Sequence, residues 1–545
     1  MALSTYTTAA LAGVLSHIAY FMRGEHHLHG LFYVKILFTA ILTSTAFISY
    51  KENIPALFAL SLVSKLAASF LAGLYASALT YRVLLHPLNK FPGPLPARIT
   101  STWISTQLNR DLHLKLQSYH EKYGGFVRIG SSDLSISHPD AVEALYGANS
   151  VCTKGENYEL SAPATSLQLI RDQEAHHIRR RVWSSAFSDR LLRGYEQRIK
   201  TYRSKLLSHI ADSASRGQPV DVRKWFNMYS FDIMGDLSFG RGFGSLESGE
   251  EHWAMTLLMD TQDYIGLFLP AWVFVILTAI PGLAGDFWQF LDICGERLME
   301  RFKNDPKIPD ISSSLLAPIK GRNLDDLTAD EKNLLYGDAR LIVIAGSDTT
   351  SGALSAIFYE LARHPEEITK LRAELDPLVN SESESKDSET EFLHSKIAHL
   401  PHLNGVINEA IRLYPAVPTA LQRKTPPQGI VIGGVHVAGN MHVHCPLYVV
   451  HRFYAQPNDF IPERWYSQPE LIRHKGAFAP FSLGPFNCIG RPLALMNLRT
   501  TVAQLVLEFD VSFKPGDKGE AFIRDAKDNF VYYPGALELA FTKRS

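Results

Sequence analysis

Three long apolar segments follow one another within the first 81 residues, and they constrain the fold more than any other feature of this 545-residue chain. They cover residues 5–22, 31–50 and 55–81. Each approaches the ~20 residues that an α-helix needs to cross the hydrocarbon core of a bilayer. We therefore predict that residues 1–85 form a membrane anchor with one to three transmembrane helices.

A cleaved signal peptide is the alternative explanation for the first apolar segment. It fits poorly, because no basic region precedes this segment and two more apolar segments follow it. One basic residue interrupts each segment: His17 the first, Lys35 the second and Lys65 the third. Arg82, His86 and Lys90 follow the third segment, so the charge bias predicts that the rest of the chain faces the cytoplasm.

The remainder of the chain is predicted to be one large domain. A proline-rich stretch at 86–98 should form a stiff elbow, because proline does not continue a helix. From 99 to 545 most apolar residues recur at helical spacing, whereas strand-like stretches such as 126–130 and 430–439 are few and short. The polar segment 380–391 is expected to be a surface insertion. The fold class is therefore mainly α with a small β portion.

A further apolar run at 264–285 is too interrupted to span a bilayer. Pro270 and Pro281 divide it into pieces that are shorter than a membrane-crossing helix. We expect it to be buried core or a loop that dips into the membrane surface.

Charge and cysteine content exclude several classes of function. The chain has 54 Lys and Arg against 55 Asp and Glu, so it lacks the basic excess of most nucleic-acid-binding proteins, and we expect no nucleic-acid partner. Its four cysteines are far apart in sequence, which argues against a disulfide scaffold and against a CxxC zinc or redox site.

One of these cysteines stands in an unusual setting, FSLGPFNCIGRPLAL, from Phe481 to Leu495. Glycines around Cys488 allow a tight backbone turn, and the residues after it can begin a helix whose N-terminal dipole favours a negative sulfur. A thiolate that binds a metal needs such support and shielding from solvent. An inert buried cysteine is the alternative interpretation.

A second unusual stretch, AGSDTT at 345–350, lies within a long apolar helical pattern. Each polar group in a buried helix needs a partner. The stretch is therefore either a helix kink with satisfied hydroxyls or a functional site.

Together these stretches resemble the cytochrome P450 family. Phe481, Gly484, Cys488 and Gly490 match its FxxGxxxCxG cysteine-ligand loop. The resemblance implies that Cys488 is the axial ligand of the iron of haem b. It also implies that AGSDTT belongs to the oxygen-activating helix.

In that helix, the family pattern assigns a role to each of four residues. Ala345 and Gly346 leave room beside the iron, and Asp348 with Thr349 delivers protons.

Two further motifs stand in the family's order. Glu409 and Arg412 in NEAIRLYP, with Arg464 in FIPERW, match a glutamate–arginine–arginine triad that we interpret as structural. The spacing of Glu409 and Arg412 is weak evidence on its own, but the order of the four motifs over 345–490 is hard to obtain by chance.

The resemblance also implies which cations bind the haem propionates. His176 and Arg180, four residues apart in HHIRRRVWSSAFS, and Arg423 in LQRKTPP are the candidates. The sequence departs from the family at Phe486, where the usual residue is a basic one that pairs with a propionate. We expect the three candidate cations to hold the carboxylates and Phe486 to pack near the haem edge.

The function implied is a haem-thiolate monooxygenase that oxidises a lipophilic small molecule with dioxygen, as in fungal secondary metabolism. Electrons would come from NADPH-cytochrome P450 reductase in the endoplasmic reticulum membrane, with the catalytic domain facing the cytosol. Arg179, Arg181 and Arg491 are candidates for docking that reductase. The alternatives are an isomerase or dehydratase that does not use dioxygen, and a non-catalytic haem-binding protein.

Overall fold

The protein is described by a computed structural model. It describes residues 2–107, 109–280, 282–303, 309–382, 394–419 and 421–544. Of the predicted surface insertion 380–391, residues 383–391 lie outside the described part of the chain.

The three apolar segments each form a helix. These helices are α1 (Ala2–Ser16), α2 (Gly30–Lys51) and α3 (Ala56–Thr80), and π-helical turns extend α1 and α3 by five residues each. By length and composition, α2 and the helix that begins with α3 can cross a membrane. No described residue of α2 is buried.

Helices α1 and α3 pack closely because each has a glycine at the crossing point. A Cβ atom on Gly13 would overlap the carbonyl oxygen of Phe70, and one on Gly73 would overlap the carbonyl oxygen of Ala10. Small residues allow such close approach between helices within a bilayer. The polar side chain of His17 has a hydrogen-bond partner within this helix pair, because its Nδ1 lies 2.9 Å from Oγ of Ser77.

The body is mainly helical, as predicted. Its helices are α4 (Leu95–Ile99), α5 (Thr102–Ser105), α6 (Leu112–Tyr123), α7 (Ala141–Tyr146), α8 (Gln173–Ala186), α9 (Asp189–Ser215), α10 (Val222–Phe239), α11 (Ser245–Ser248), α12 (Trp253–Ile265), α13 (Ala271–Thr278), α14 (Gly285–Lys303), α15 (Ile311–Leu316), α16 (Ala329–Arg363), α17 (Pro365–Glu382), α18 (His394–Ile397), α19 (Pro401–Leu413), α20 (Leu447–Val450), α21 (Arg491–Glu508) and α22 (Glu520–Arg524).

The β portion consists of short strands in four small sheets. The strands are β1 (Phe126–Arg128), β2 (Asp133–Ile136), β3 (Thr153–Lys154), β4 (Val220–Asp221), β5 (Arg423–Lys424), β6 (Ile430–Ile432), β7 (Val435–Val437), β8 (His442–His444), β9 (Phe509–Phe513), β10 (Lys527–Asn529), β11 (Val531–Tyr533) and β12 (Glu538–Lys543). The largest sheet has the order β1-β2-β8-β5-β3. In it, Lys154 of β3 is the antiparallel partner of Arg423 of β5.

Helix α16 runs through the centre of the body. A capping box starts it, in which Thr328 Oγ1 accepts from the N–H of Glu331 and the Glu331 carboxylate accepts from the N–H of Thr328. Although α16 is long and apolar enough to cross a membrane, most of it is buried inside the protein, against α10, α14 and α19. It is therefore a core helix of the body.

The middle of the apolar run 264–285 forms the short helix α13, which Pro270 precedes. Phe274 is buried in the body, whereas Trp272 and Ile280 are exposed. Helix α13 also contacts α2 of the anchor. Helix α13 is thus too short to span a membrane, as predicted. It packs between the body and helix α2 of the anchor.

Candidate active site

The Cys488 loop has a backbone that its glycines make possible. The N–H of Cys488 donates to the carbonyl oxygen of Phe481 at 2.8 Å, which closes the loop. Gly484 has a φ of +61°, and a Cβ atom there would lie 2.6 Å from the carbonyl oxygens of Tyr146 and Gly147. Any larger residue at this position would push the loop away from the helix α7 segment on which it rests.

Cys488 differs in its environment from the other three cysteines of the chain. They are buried, whereas Cys488 is exposed, although protein surrounds it on most sides. Burial raises the pKa of its thiol, and the backbone N–H groups of Gly490 and Arg491 and the guanidinium of Arg180 act in the opposite direction. Helix α21 begins at Arg491, so its positive end lies beside the sulfur. The loop offers a sulfur that faces open space and has support for a negative charge.

Helix α16 also faces open space near its middle. Ala345 is exposed although its neighbours Val343 and Ser347 are buried, and Thr349 is half-exposed. The Thr349 hydroxyl donates to the carbonyl oxygen of Ala345 at 2.7 Å. A Cβ atom on Gly346 would overlap the Met234 side chain of α10. The small size of Gly346 allows the two helices to pack.

Asp348 is buried and turned towards the C-terminal hairpin formed by β10 and β11. The hydroxyl of Tyr533 donates a hydrogen bond to its Oδ2. Burial raises the pKa of Asp348 to about 7, while this hydrogen bond acts to lower it. Nothing in the sequence pattern marked Tyr533, which stands 185 residues away. The carboxyl group of Asp348 therefore titrates near neutral pH and not in the acidic range usual for aspartate.

Phe486 lies at the centre of a group of basic side chains, the Phe486 cluster (Lys154, His176, Arg423). The ring of His176 meets it edge-on with 4.6 Å between centroids. Lys154 Nζ lies 4.7 Å and the Arg423 guanidinium carbon 5.3 Å from the centre of the Phe486 ring. These distances allow cation–π attraction. Lys154 was not among the predicted site residues, because only its pairing with Arg423 across β3 and β5 brings it here.

The basic side chains of this cluster have no carboxylate partner in the part of the chain that the structure describes. Among the described residues none of its members forms an ion pair with a carboxylate, and Nε of Arg423 is buried without a hydrogen-bond partner. Burial and the charges of Arg423 and Arg180 lower the pKa of Lys154 to about 6. Burial, followed by the charges of Lys154 and Arg180, lowers the pKa of His176 to about 3. An anionic ligand bound here would counter these effects and favour the protonated forms of Lys154 and His176.

The two arginines of α8 occupy different environments. Arg180 donates to the carbonyl oxygen of Asn487 at 2.8 Å and to its side-chain oxygen, so it supports the Cys488 loop directly. Arg179 is buried, and its Nε donates to Asp338 at 2.6 Å. The prediction that Arg179 docks a redox partner is therefore wrong, because a buried and paired guanidinium offers no surface charge. Arg181 is exposed.

The predicted structural triad forms a buried ion-pair network. Arg412 donates twice to Glu409, at 2.8 and 2.9 Å, and Arg464 donates to the same carboxylate at 3.1 Å. All three side chains are fully buried. The arginines also donate to backbone carbonyl oxygens of the segment 451–471, so they fix this segment against α19.

Comparison with known proteins finds relatives over nearly the whole chain. The family model described as Cytochrome P450 matches residues 90–538. Cytochrome P450 monooxygenase notG' of Aspergillus versicolor is 44% identical over 543 residues, which is 99% of this chain and 98% of that protein. Tryprostatin B 6-hydroxylase of Aspergillus fumigatus is 44% identical over 547 residues, 98% of this chain and 96% of that protein.

Among solved structures, the fold is similar to that of the cytochrome P450DA heme domain. The TM-score is 0.67 at 20% sequence identity, over 84% of this chain and 98% of that one. At this level of identity the similarity concerns the fold alone.

Proposed function

Because this chain belongs to the cytochrome P450 family, whose monooxygenases are oxidoreductases with a haem iron, we propose that Cys488 is the axial thiolate ligand of haem b. The observation that carries the proposal is the exposed sulfur of Cys488 in a loop closed by Phe481. Backbone N–H groups and the start of α21 support the anionic form of the sulfur. Phe481, Gly484 and Gly490 shape this loop.

The residues present suit the carboxylates of the haem. Its two propionates would provide the anionic charge that the cluster of Lys154, His176 and Arg423 lacks, and the orphaned Nε of Arg423 supplies a free donor. Arg180 would act from the sulfur side through Asn487. Phe486 then gives an apolar surface around which the three basic side chains are arranged, in place of a fourth basic residue.

When bound, the haem supplies the activation of dioxygen that allows one oxygen atom to enter the substrate. The chain's own contribution is to deliver protons and exclude water. We assign the proton delivery to Asp348 and Thr349, with Tyr533 as a positioning residue that holds the carboxyl group. The half-exposed Thr349 hydroxyl donates to Ala345, and a small rotation would free it for a partner in the open space.

We assign the chain's regions as follows. Residues 1–85 are the membrane anchor, 86–98 the elbow and 99–545 the catalytic domain. The basic residues after α3 support a catalytic domain on the cytosolic face of the endoplasmic reticulum. NADPH-cytochrome P450 reductase is the proposed electron donor, and the exposed Arg181 and Arg491 are the cations proposed for its docking.

The proposed substrate is a lipophilic small molecule of fungal secondary metabolism. Two relatives are named tryprostatin B 6-hydroxylase, and they match this chain over almost its whole length. A hydroxylation or related oxidation of such a molecule is the reaction we propose. The presence of both Asp348 and Thr349 favours it over an isomerisation or dehydration without dioxygen.

The test is product analysis with isotopically labelled dioxygen. Microsomes that contain the full chain and the reductase are incubated with NADPH and a panel of lipophilic indole, terpenoid and polyketide metabolites. We expect a product that contains one labelled oxygen atom and that disappears in the Cys488→Ser variant. A product that forms without dioxygen would favour the isomerase or dehydratase alternative, and a haem-loaded protein that converts no metabolite and consumes no NADPH would favour the non-catalytic one.

A further inference from the structure

The anchor loop (residues 23–29), which connects α1 to α2, makes specific polar contacts with the catalytic domain. Glu25 forms a bidentate ion pair with Arg171, with 2.7 Å from Nη1 to Oε2 and 2.8 Å from Nη2 to Oε1. Its Oε1 also accepts from Nζ of Lys424 at 2.6 Å. Paired guanidinium and carboxylate groups in this geometry are among the strongest polar contacts of proteins. One carboxylate therefore connects the anchor to two separate segments of the body.

His27 of the same loop provides a second, independent contact. It is buried, with Nε2 2.7 Å from the Glu159 carboxylate and Nδ1 3.5 Å from that of Glu156. The loop thus inserts one side chain into the body and pairs another with it. A surface loop that did not dock on the body would have neither the buried His27 nor the ion pairs of Glu25.

A metal ion is not needed to explain this group of side chains. Although Glu25, His27 and Glu159 are close enough to bind one, the guanidinium of Arg171 already contacts both carboxylates. The cation among these ligands is Arg171.

Apolar packing next to the loop also holds the anchor against the body. A Cβ atom on Gly30, the first residue of α2, would lie 3.1 Å from Cδ1 of Ile276 in α13. The start of α2 therefore rests on the short apolar helix of the body. Loop and helix together form one continuous contact between anchor and body.

The body residues that Glu25 binds are connected to the Phe486 cluster through β3 and β5. Lys424 is the neighbour of Arg423 on β5, and consecutive strand residues point to opposite faces of a sheet. The Nε of Arg171 donates to the carbonyl oxygen of Lys154 at 3.1 Å. Glu25 thus holds the outer face of the same β3–β5 pair whose inner face presents Lys154 and Arg423 to Phe486.

We propose that the anchor loop is a built-in brace of the haem site: by binding Arg171 and Lys424, Glu25 fixes the catalytic domain on its anchor and holds the β3–β5 pair in position. The loop lies on the same side of the membrane as the catalytic domain. Both α2 and α3 cross the bilayer, so the connection at 52–55 lies on the opposite side. The part of this proposal that concerns haem rests on the proposed function.

Limited trypsin digestion of sealed microsomes tests the position and docking of the loop. The full chain carries an N-terminal epitope tag, and cleavage after the exposed Arg23 gives the shortest tagged fragment. We expect this fragment to form about tenfold faster in Glu25→Gln than in the unchanged protein, because the loop is released. The matched control, Glu52→Gln, changes an exposed carboxylate of the anchor on the opposite side and should have no effect. Equal rates in all three proteins would overturn the docking, and cleavage only after the vesicles are opened would overturn the orientation.

The rate of haem transfer to apomyoglobin tests the brace, and it does not depend on turnover. We expect transfer about three- to tenfold faster from Glu25→Gln than from the Glu52→Gln control. If the loop is released but haem transfer is unchanged, docking stands and support of the haem site is refuted. If the unchanged protein holds no haem at all, the proposed function fails, while the digestion result still decides the docking.

Discussion

The hydroxyl of Tyr533, in the last hairpin of the chain, donates a hydrogen bond to the carboxyl group of Asp348 at the centre of α16. The same hairpin is held to the end of α12, because Nδ2 of Asn529 donates to Asp263 at 2.7 Å. The proposed proton donor is therefore positioned by a segment that also contacts a helix on the outside of the body. This contact makes the carboxyl group sensitive to the position of the hairpin.

Tyr533→Phe should raise the pKa of Asp348 further above about 7, because the hydrogen bond that lowers it is lost. We expect the carboxyl infrared band of Asp348 to titrate at higher pH. We also expect a larger share of the electrons from NADPH to be lost in forming hydrogen peroxide instead of product. Tyr532→Phe, on the neighbouring position and opposite face of β11, is the control. If the two variants titrate alike, Tyr533 does not position the carboxyl group.

Burial of Asp348 should make the stability of the protein depend on pH. Its pKa of about 7 is above the ordinary value of 3.8, so the folded protein binds more protons than the unfolded one between these values, and the free energy of unfolding falls as pH rises from about 4 to about 7. Asp348→Asn removes this loss. We predict that it raises the free energy of unfolding by on the order of 2–4 kcal/mol at pH 8 and by much less at pH 4. A pH-independent difference in denaturant unfolding would contradict this.

Phe486→Arg introduces a further cation beside Lys154 and Arg423, which lie 4.7 and 5.3 Å from the present ring. In the haem-loaded protein the added positive charge should raise the reduction potential, since it favours the form with one more electron. Phe486→Leu separates loss of the ring from gain of the charge. Potentiometric titration measures the potential, and the haem content after purification measures retention. If Phe486→Arg changes neither, the hypothesis that the site is adapted to phenylalanine is refuted.

Glu409→Gln should destabilise the body strongly. The change leaves Arg412 and Arg464 buried without a countercharge, and breaking such a buried network costs about 3–5 kcal/mol. Chemical denaturation measures the loss. Asp525→Asn, which removes one member of an exposed pair with Arg524, is the matched control and should have a far smaller effect. Similar losses in the two variants would show that the triad does not stabilise the fold.

The family and the fold class were predictable because their motifs are local. The mainly α fold with a small β portion is confirmed by the helices and strands observed, and the cytochrome P450 resemblance is confirmed by the match over 90–538. The loop around Cys488 could be predicted because its glycines and its helix start lie within a few residues of the sulfur. Local chemistry of this kind is visible in a sequence.

Contacts between distant segments were not predictable. Lys154 reaches Phe486 only because β3 pairs with β5, and Arg179 is buried only because Asp338, 159 residues later, accepts its hydrogen bond. Basic residues on one predicted helix look equally exposed in a sequence, since the partner that buries one of them stands elsewhere. The contacts of Glu25 were hidden for the same reason.

The central claim, that Cys488 binds the haem iron as a thiolate, is tested most directly by the reduced carbon-monoxide difference spectrum of the membrane-bound protein. The account predicts the absorption band of thiolate-ligated haem in the unchanged protein and its loss in Cys488→Ser, while Cys445→Ser, at a buried cysteine, retains it. A protein that binds no haem, or one whose spectrum shows a nitrogen ligand or is unchanged by Cys488→Ser, would contradict the account.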